Sequence, residues 1–216
     1  MSANDESFSY KLTPAKLDDA EGAEILAALG RATHSFSQSE TWLLFLAGAL
    51  MVTHLAPNED GTASSISDLE AAVALMAALD SNRAKRDVLK SLVCARIDPE
   101  SDICKRVVDH LDKLRRLTNR RNDMTHQAIF EIQAPGLKPA KVWGKPELLD
   151  RSLMKGDDES VRKAVRAFIN NNKPRPKQIL EHADHLDQWG EASRLLAKEV
   201  NVALATKALR DREKQA

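Results

Sequence analysis

Apolar residues recur every three or four positions along most of the chain, and this spacing predicts amphipathic helices. The clearest example begins after Asp98-Pro99, an N-cap residue followed by a proline at the first helical position. Its apolar stripe consists of Ile103, Val107, Leu111, Leu114 and Leu117. The next position on the stripe is Arg121, a cation where the pattern requires a leucine. Such an arginine must be paired, reach solvent or face a cleft that admits an anion.

Start and stop signals divide the N-terminal part of the chain into further helices. Thr13-Pro14 has the pattern of an N-cap and predicts a first helix that runs to Gly30. Ser37 and Glu40 form a capping box, which predicts that a second helix starts there. This helix contains the apolar run 42–52, which is too short to cross a membrane and is typical of a buried helix.

A third helix is expected to start at a second capping box, Ser67 with Glu70. Asp80-Ser81-Asn82 interrupts the apolar pattern, which resumes and continues to about Arg96. The helix that starts at Asp98-Pro99 then follows after a short connection. We call it the motif helix, because the candidate functional residues described below lie at its end. These short connections between helical segments are typical of a bundle.

The pattern changes after residue 126. Two short apolar or alternating runs, 128–132 and 140–143, flank Pro135-Gly136, which predicts a two-stranded hairpin or an extended arm. Helical periodicity returns from Asp157 or Asp158 to Phe168 and again from residue 177 to about 212. The predicted fold class is therefore all-α: a bundle of about five to seven helices with at most a small β-hairpin after the motif helix.

Composition supports this fold class and limits the functions that fit the chain. The chain has 216 residues, of which 43% are hydrophobic, so it is able to bury a core. Only 4% of the residues are aromatic, a composition that favours helix over sheet. Its 32 basic and 32 acidic residues cancel, whereas a protein that coats nucleic acid non-specifically is usually basic, so any RNA contact should be local. Cys94 and Cys104 are too few and too close in sequence for a disulfide framework, and we expect a cytoplasmic protein.

The candidate chemistry is concentrated at the end of the motif helix. Asn122 and His126 are four residues apart and share a helix face, so the carboxamide can orient the imidazole. Arg121 and His126 are about 140° apart around an ideal helix. For both to act on one group, the helix must bend or end near Thr125, or a second subunit must supply its own copy.

A basic cluster precedes these residues and contains Lys113, Arg115, Arg116, Arg120 and Arg121. One interpretation is a solvated helix face, and the other is an edge that guides phosphates. On a chain of zero net charge, this local concentration favours the second interpretation, with Lys113, Arg116 and Arg120 as substrate-binding residues.

Two further histidine groups have structural interpretations that compete with functional ones. His182 and His185, with Glu181 and Asp184 beside them, have the spacing of a metal site, but an exposed polar face is the commoner origin of such a pattern. His110 is interpreted as part of a solvated turn. The chain contains no glycine-rich phosphate loop and none of the H-E-x-x-H, C-x-x-C or G-x-S-x-G motifs, so neither a metal nor a cofactor is expected.

The run Arg121-Asn122-Asp123-Met124-Thr125-His126 resembles the R-N-x-x-x-H signature of HEPN domains, helical bundles of many bacterial toxin, defence and RNA-processing proteins. The resemblance implies a HEPN-like bundle over residues 13–130. Residues 131–216 then add the hairpin or arm and the C-terminal helices, packed on the same domain. The resemblance further implies that the protein is a metal-independent endoribonuclease that leaves a 2′,3′-cyclic phosphate, with Arg121, Asn122 and His126 as catalytic residues.

The expected partners are RNA, a second copy of the chain and a protein inhibitor or antitoxin, with no membrane. Arg121 in phase with the leucines supports the homodimer, because a charge on an apolar stripe fits a shared cleft better than a monomer's core. The alternative is a non-catalytic helical module that binds protein or RNA. Zero net charge and the lack of aromatic platforms for stacking bases favour this module.

Overall fold

The computed structural model describes residues 10–51, 54–57, 63–66, 69–125, 128–144 and 158–214. Its elements in chain order are β1 (Lys11–Pro14), α1 (Ala20–Leu50), β2 (His54–Pro57), β3 (Ala63–Ile66), α2 (Leu69–Ala77), α3 (Asn82–Arg96), α4 (Asp102–Thr125), β4 (Ala128–Gln133), β5 (Ala140–Gly144), α5 (Asp158–Asn172) and α6 (Pro176–Glu213). The predicted helical fold with a hairpin after the motif helix is confirmed. Among the described residues, no helix combines the length and apolarity needed to span a lipid bilayer.

Contacts divide the chain into two compact units, which we call the sheet unit and the helical unit. The sheet unit comprises Met1–Arg31 and Arg121–Glu181, and the helical unit comprises Ala32–Arg120 and His182–Ala216. The division passes between Arg120 and Arg121, within the motif helix α4. The predicted division into 13–130 and 131–216 stays a prediction.

The helical unit has one apolar core, to which α1, α2, α3, α4 and α6 contribute. Its fully buried large side chains are Leu43, Leu46, Leu50, Leu89, Leu111, Leu114, Leu186 and Trp189. The predicted stripe of α4 forms part of this core, with Val107, Leu111, Leu114 and Leu117 buried and Ile103 packed against them. Burial of each such side chain contributes roughly 1.5–3 kcal/mol, so the stripe fixes which face of α4 points inward.

The sheet unit is built on a three-stranded antiparallel sheet of order β1-β4-β5. β4 and β5 form the predicted hairpin, in which Phe130 pairs with Val142, and Gly136 supplies the positive φ of 72° in the connection. Phe130, Ile132 and Val142 pack with Val165 of α5 in a second, smaller core. β2 and β3 form a separate two-stranded sheet that the sequence did not predict.

The predicted helix start at Thr13-Pro14 is wrong. Both residues belong to β1, where Thr13 pairs with Glu131 and Pro14 with Phe130 of β4. A proline is tolerated there because β1 is an edge strand, and the pairing with a distant strand overrides the local capping signal. The helix begins at Ala20 instead, where the Asp19 carboxylate accepts a hydrogen bond of 2.7 Å from the Gly22 amide.

The two helices predicted on either side of Gly30 are one continuous helix, α1. Gly30 is exposed and costs the helix about 1 kcal/mol relative to alanine, which the burial of Ala28 and Ala32 on the opposite face offsets. Ser37 does not cap a helix, because its hydroxyl donates to the Thr33 carbonyl at 3.2 Å within the helix.

The other predicted boundaries are closer to the structure. The chain breaks between α2 and α3 as predicted, and Ser81 caps α3 by accepting a bond of 3.1 Å from the Ala84 amide. The capping box at Ser67 lies outside the described residues. Asp98 organises a turn rather than the start of α4, which Ser101 caps by accepting from the Cys104 amide at 3.4 Å. The bounds of α5 and α6 agree with the predicted C-terminal helices.

Candidate functional site

The motif residues lie at the end of α4, and the structure describes two of the three predicted catalytic residues. Arg121 and Asn122 are both half-buried, and the Arg121 Nη1 donates a hydrogen bond of 3.1 Å to the Asn122 Oδ1. This contact orients the guanidinium and uses one of the two lone pairs of the carboxamide oxygen. The Asn122 NH₂ group is the donor that can hold the imidazole expected at residue 126.

His126 itself lies outside the described residues, so its position relative to Arg121 stays a prediction. The described part of α4 ends at Thr125, and β4 begins at Ala128. The Thr125 hydroxyl donates to the Arg121 carbonyl at 3.0 Å, a bond within the last turn that often accompanies bending of a helix. The helix therefore ends close to the position at which the sequence required it to bend or end.

The three basic residues that were predicted to bind substrate form one exposed row on the helical unit. Lys113, Arg116 and Arg120 are spaced by three and four residues, so they share a face of α4, and all three are exposed. Within the described part of the chain, none of the three is in a salt bridge. We call these residues the cationic row. Arg115 is also exposed but lies on another face of α4, 3.9 Å from Asp112.

A groove of about 440 Å³ runs beside the cationic row within the helical unit. Its lining residues are Arg106, Asp109, His110, Lys113 and Arg116 from α4, and Ala192, Leu195, Leu196 and Glu199 from α6. The Arg106 guanidinium donates two hydrogen bonds of 2.6 and 3.0 Å to the Glu199 carboxylate, so this pair contributes no net charge. Lys113 and Arg116 thus bring cationic charge to the groove, and Leu195 gives it an exposed apolar wall.

His110 is not part of a solvated turn, and that interpretation is wrong. Its ring stacks on Trp189 with centroids 4.5 Å apart, and its Nε2 lies 2.6 Å from the Ser193 hydroxyl. The Trp189 indole donates back to the His110 carbonyl at 2.9 Å. Burial first, and then Lys113, lower the pKa of His110 to about 4, so the ring is neutral at neutral pH.

The pair of His110 and Ser193 has the spacing of a base and a nucleophile, but its surroundings indicate a structural role. Ser193 is only 1% exposed, and its hydroxyl donates to the Trp189 carbonyl at 3.0 Å. A substrate cannot reach a hydroxyl that is buried and bonded in this way. The pair instead joins α4 to α6. The sequence did not reveal it, because the contact depends on how these two helices pack.

His182 is wholly buried, which overturns its interpretation as part of an exposed polar face. Neither ring nitrogen makes a hydrogen bond of good geometry with a described residue, although the Leu117 carbonyl is near enough to favour the protonated ring. Burial first, and then the charge of Arg120 and the neighbouring His185, lower its pKa to about 4. His185 is exposed, so the two histidines do not converge, and the described residues contain no group of three ligands that could hold a metal ion.

No protein-family model, curated protein or solved structure was found to match this chain.

Proposed function

We propose that the protein is a HEPN-like, metal-independent endoribonuclease of the toxin, defence or RNA-processing type. The observation that supports this best is the contact of Arg121 with Asn122 at the end of α4, because it holds a guanidinium still beside the expected position of His126. An arginine whose orientation is fixed loses less entropy when it binds a phosphate. The proposal also rests on the resemblance of residues 121–126 to the family signature.

The proposed reaction uses the ribose 2′-hydroxyl as the nucleophile. His126 removes its proton or protonates the 5′-oxygen leaving group, and Arg121 stabilises the negative charge that develops on the phosphate. Asn122 positions the imidazole through its NH₂ group. The product is a 2′,3′-cyclic phosphate, and none of these steps requires a metal ion.

The cationic row is proposed to bind the RNA backbone. Lys113 and Arg120 are seven residues apart, which corresponds to roughly 10 Å along the helix axis and suits contacts to successive phosphates. Since the protein has zero net charge, these local contacts should carry most of the electrostatic attraction. Binding should therefore weaken steeply as salt concentration rises.

A homodimer is part of the proposal, because two protomers provide two copies of His126 to divide the acid and base roles. The two copies of Arg121 then flank one phosphate. A protein inhibitor or antitoxin that covers the motif is a further proposed partner. Light scattering at micromolar concentration tests the dimer, and a monomer would remove this part of the proposal.

Variants of the motif test the catalytic roles. His126→Ala should lower RNA cleavage by a factor of about 10² or more without changing helical content. Arg121→Ala should lower it as well, and Arg121→Lys should not restore it, because an ammonium lacks the two-point contact of a guanidinium. Asn122→Ala should have a smaller effect. Arg115→Gln removes a cation from another face of the same helix and should leave cleavage unchanged.

The second candidate is a non-catalytic helical module that binds a protein or RNA. The groove beside the cationic row favours it, because an apolar wall with Leu195 next to Lys113 and Arg116 fits an amphipathic acidic partner. This module predicts an inert wild type and loss of stability or partner binding in Arg121→Ala. Active wild-type protein with a folded, inactive His126→Ala variant would exclude it.

A further inference from the structure

The two cysteines of the chain lie side by side in the helical unit. Cys94 is in the last turn of α3, Cys104 is in the first turn of α4, and the turn around Asp98 folds the chain back between them. Their Sγ atoms are 3.8 Å apart, and both thiols are free. A disulfide requires about 2.05 Å between the sulfurs, so the side chains must rotate before the bond can form.

The two thiols differ in their access to solvent. Cys104 is only 2% exposed, whereas Cys94 is exposed. Burial first, and then the contact with Cys94, raise the pKa of the Cys104 thiol, which keeps it protonated at neutral pH. A reagent from solvent therefore meets Cys94 first, and Cys104 is available only to a group already attached there.

Cys94 also lines a cavity of about 670 Å³ between the α3–α4 turn and the C-terminal part of α6. The charged residues around the cavity are Arg96, Lys207, Arg210, Lys214, Asp98 and Asp211. Cations outnumber carboxylates in this set, so the cavity favours an anionic molecule. Its volume is in the range of cavities that hold small ligands.

We propose that Cys94 undergoes thiol–disulfide exchange with small anionic disulfides of the glutathione class, and that Cys104 resolves the mixed disulfide. The Cys94 thiolate attacks one sulfur of the small disulfide, which forms a mixed disulfide and releases one small thiolate. Cys104 then gives up its proton, and its thiolate attacks the Cys94 sulfur, which breaks the mixed disulfide and closes the Cys94–Cys104 bond, while the departing second thiolate takes up a proton. The two protein thiols are oxidised, and one small disulfide is reduced to two small thiols.

The site is independent of the proposed ribonuclease activity, since it lies at the other end of α4 from the motif. Oxidation ties the end of α3 to the start of α4 across a short turn, and an excess of reductant reverses it. The exposure of Cys94 makes the bond accessible to that reductant.

Intact-mass measurement tests the exchange. The wild-type protein is incubated with oxidised glutathione, and the remaining thiols are then trapped with an alkylating reagent. We expect loss of both thiols, a mass lower by the two thiol hydrogens and no covalent dimer. Cys104→Ala should instead accumulate an adduct of one glutathionyl group, and Cys94→Ser should show neither product. Retention of both thiols in the wild type, or crosslinks only between copies of the chain, would overturn the proposal.

A second comparison tests the preference for anions. Neutralising Arg210 and Lys214 together, as Arg210→Gln with Lys214→Gln, should slow exchange with oxidised glutathione by about threefold or more. Exchange with the uncharged hydroxyethyl disulfide should be unchanged, which controls for effects on the reactivity of Cys94. Equal slowing with both reagents, or no slowing with either, would show that the cavity does not select an anionic disulfide.

Discussion

Replacement of His182 with leucine should remove part of the acid sensitivity of the fold. The ring is wholly buried, and its pKa falls from 6.5 to about 4 on folding because burial disfavours the charged form. The unfolded chain thus takes up a proton near pH 6.5, whereas the folded chain resists it until about pH 4. Between these values the unfolded state binds more protons, so stability falls as pH falls.

The magnitude follows from the pKa difference. The full difference between 6.5 and about 4 corresponds to about 3 kcal/mol, of which about 2 kcal/mol is lost between about pH 7 and pH 5. His182→Leu abolishes this loss. It should also leave stability at pH 7 unchanged or higher, because it replaces a buried ring without good hydrogen bonds by an apolar side chain of similar size.

Urea unfolding followed by circular dichroism at about pH 7 and pH 5 provides the measurement. His110, whose pKa is also lowered to about 4, remains in the variant, so a smaller pH dependence should persist. His34→Leu makes the same chemical change at an exposed position of α1 and controls for the loss of a histidine, whereas His185 is unsuitable because it contributes to the lowered pKa of His182. If His182→Leu loses as much stability as the wild type between the two pH values, the assignment of a neutral, buried His182 is wrong.

Other substitutions test the packing of the helical unit. Gly190→Ala should destabilise the fold by about 1–2 kcal/mol, because its Cβ would lie 2.6 Å from the Trp42 ring. Gly30→Ala, where a Cβ meets no atom within 4 Å, should instead stabilise the fold by up to about 1 kcal/mol. Equal changes in the thermal stability of the two variants would contradict this packing. Trp189→Phe should cost about 1–2 kcal/mol in urea unfolding, since it loses the bond to the His110 carbonyl, and no cost would refute a role for that bond.

The fold could be predicted from the sequence where one helix face carries a regular apolar pattern. Most of the α4 stripe is buried as the period of 3.6 requires, and so are Ile179, Ala183, Leu186 and Trp189 of α6. Leu195 of α6 is also apolar, but it is 49% exposed because it lines the groove rather than the core. Periodicity thus identifies a helix more reliably than it identifies the edge of the buried face.

Contacts between distant segments could not be predicted from local patterns. The pairing of β1 with β4 joins residues more than a hundred positions apart, so Thr13-Pro14 carried a helix signal that tertiary contacts override. The burial of His182 and the stack of His110 on Trp189 likewise depend on the packing of α4 against α6. The proximity of Cys94 and Cys104 depends on the turn at Asp98, which the sequence suggested only as a helix start.

The candidate site stays a prediction. Lys113, Arg116 and Arg120 were chosen as substrate-binding residues because basic residues are concentrated there, and the structure places them on one exposed face of α4. The contact between Arg121 and Asn122 was not predicted, because neighbouring residues on a helix point in different directions and meet only where the side chains bend back. The role of His126 stays a prediction from the motif.

The most direct test of the proposed function is RNA cleavage by the purified protein in the presence of a chelator. The substrate is a single-stranded RNA, compared with the same strand carrying 2′-deoxyribose at the cleaved position. The proposal predicts cleavage of the all-ribose strand with a 2′,3′-cyclic phosphate end and no cleavage at the deoxyribose, because the 2′-hydroxyl is the nucleophile. Cleavage that continues at the deoxyribose, or an inert wild type across a broad panel of RNAs, would contradict it.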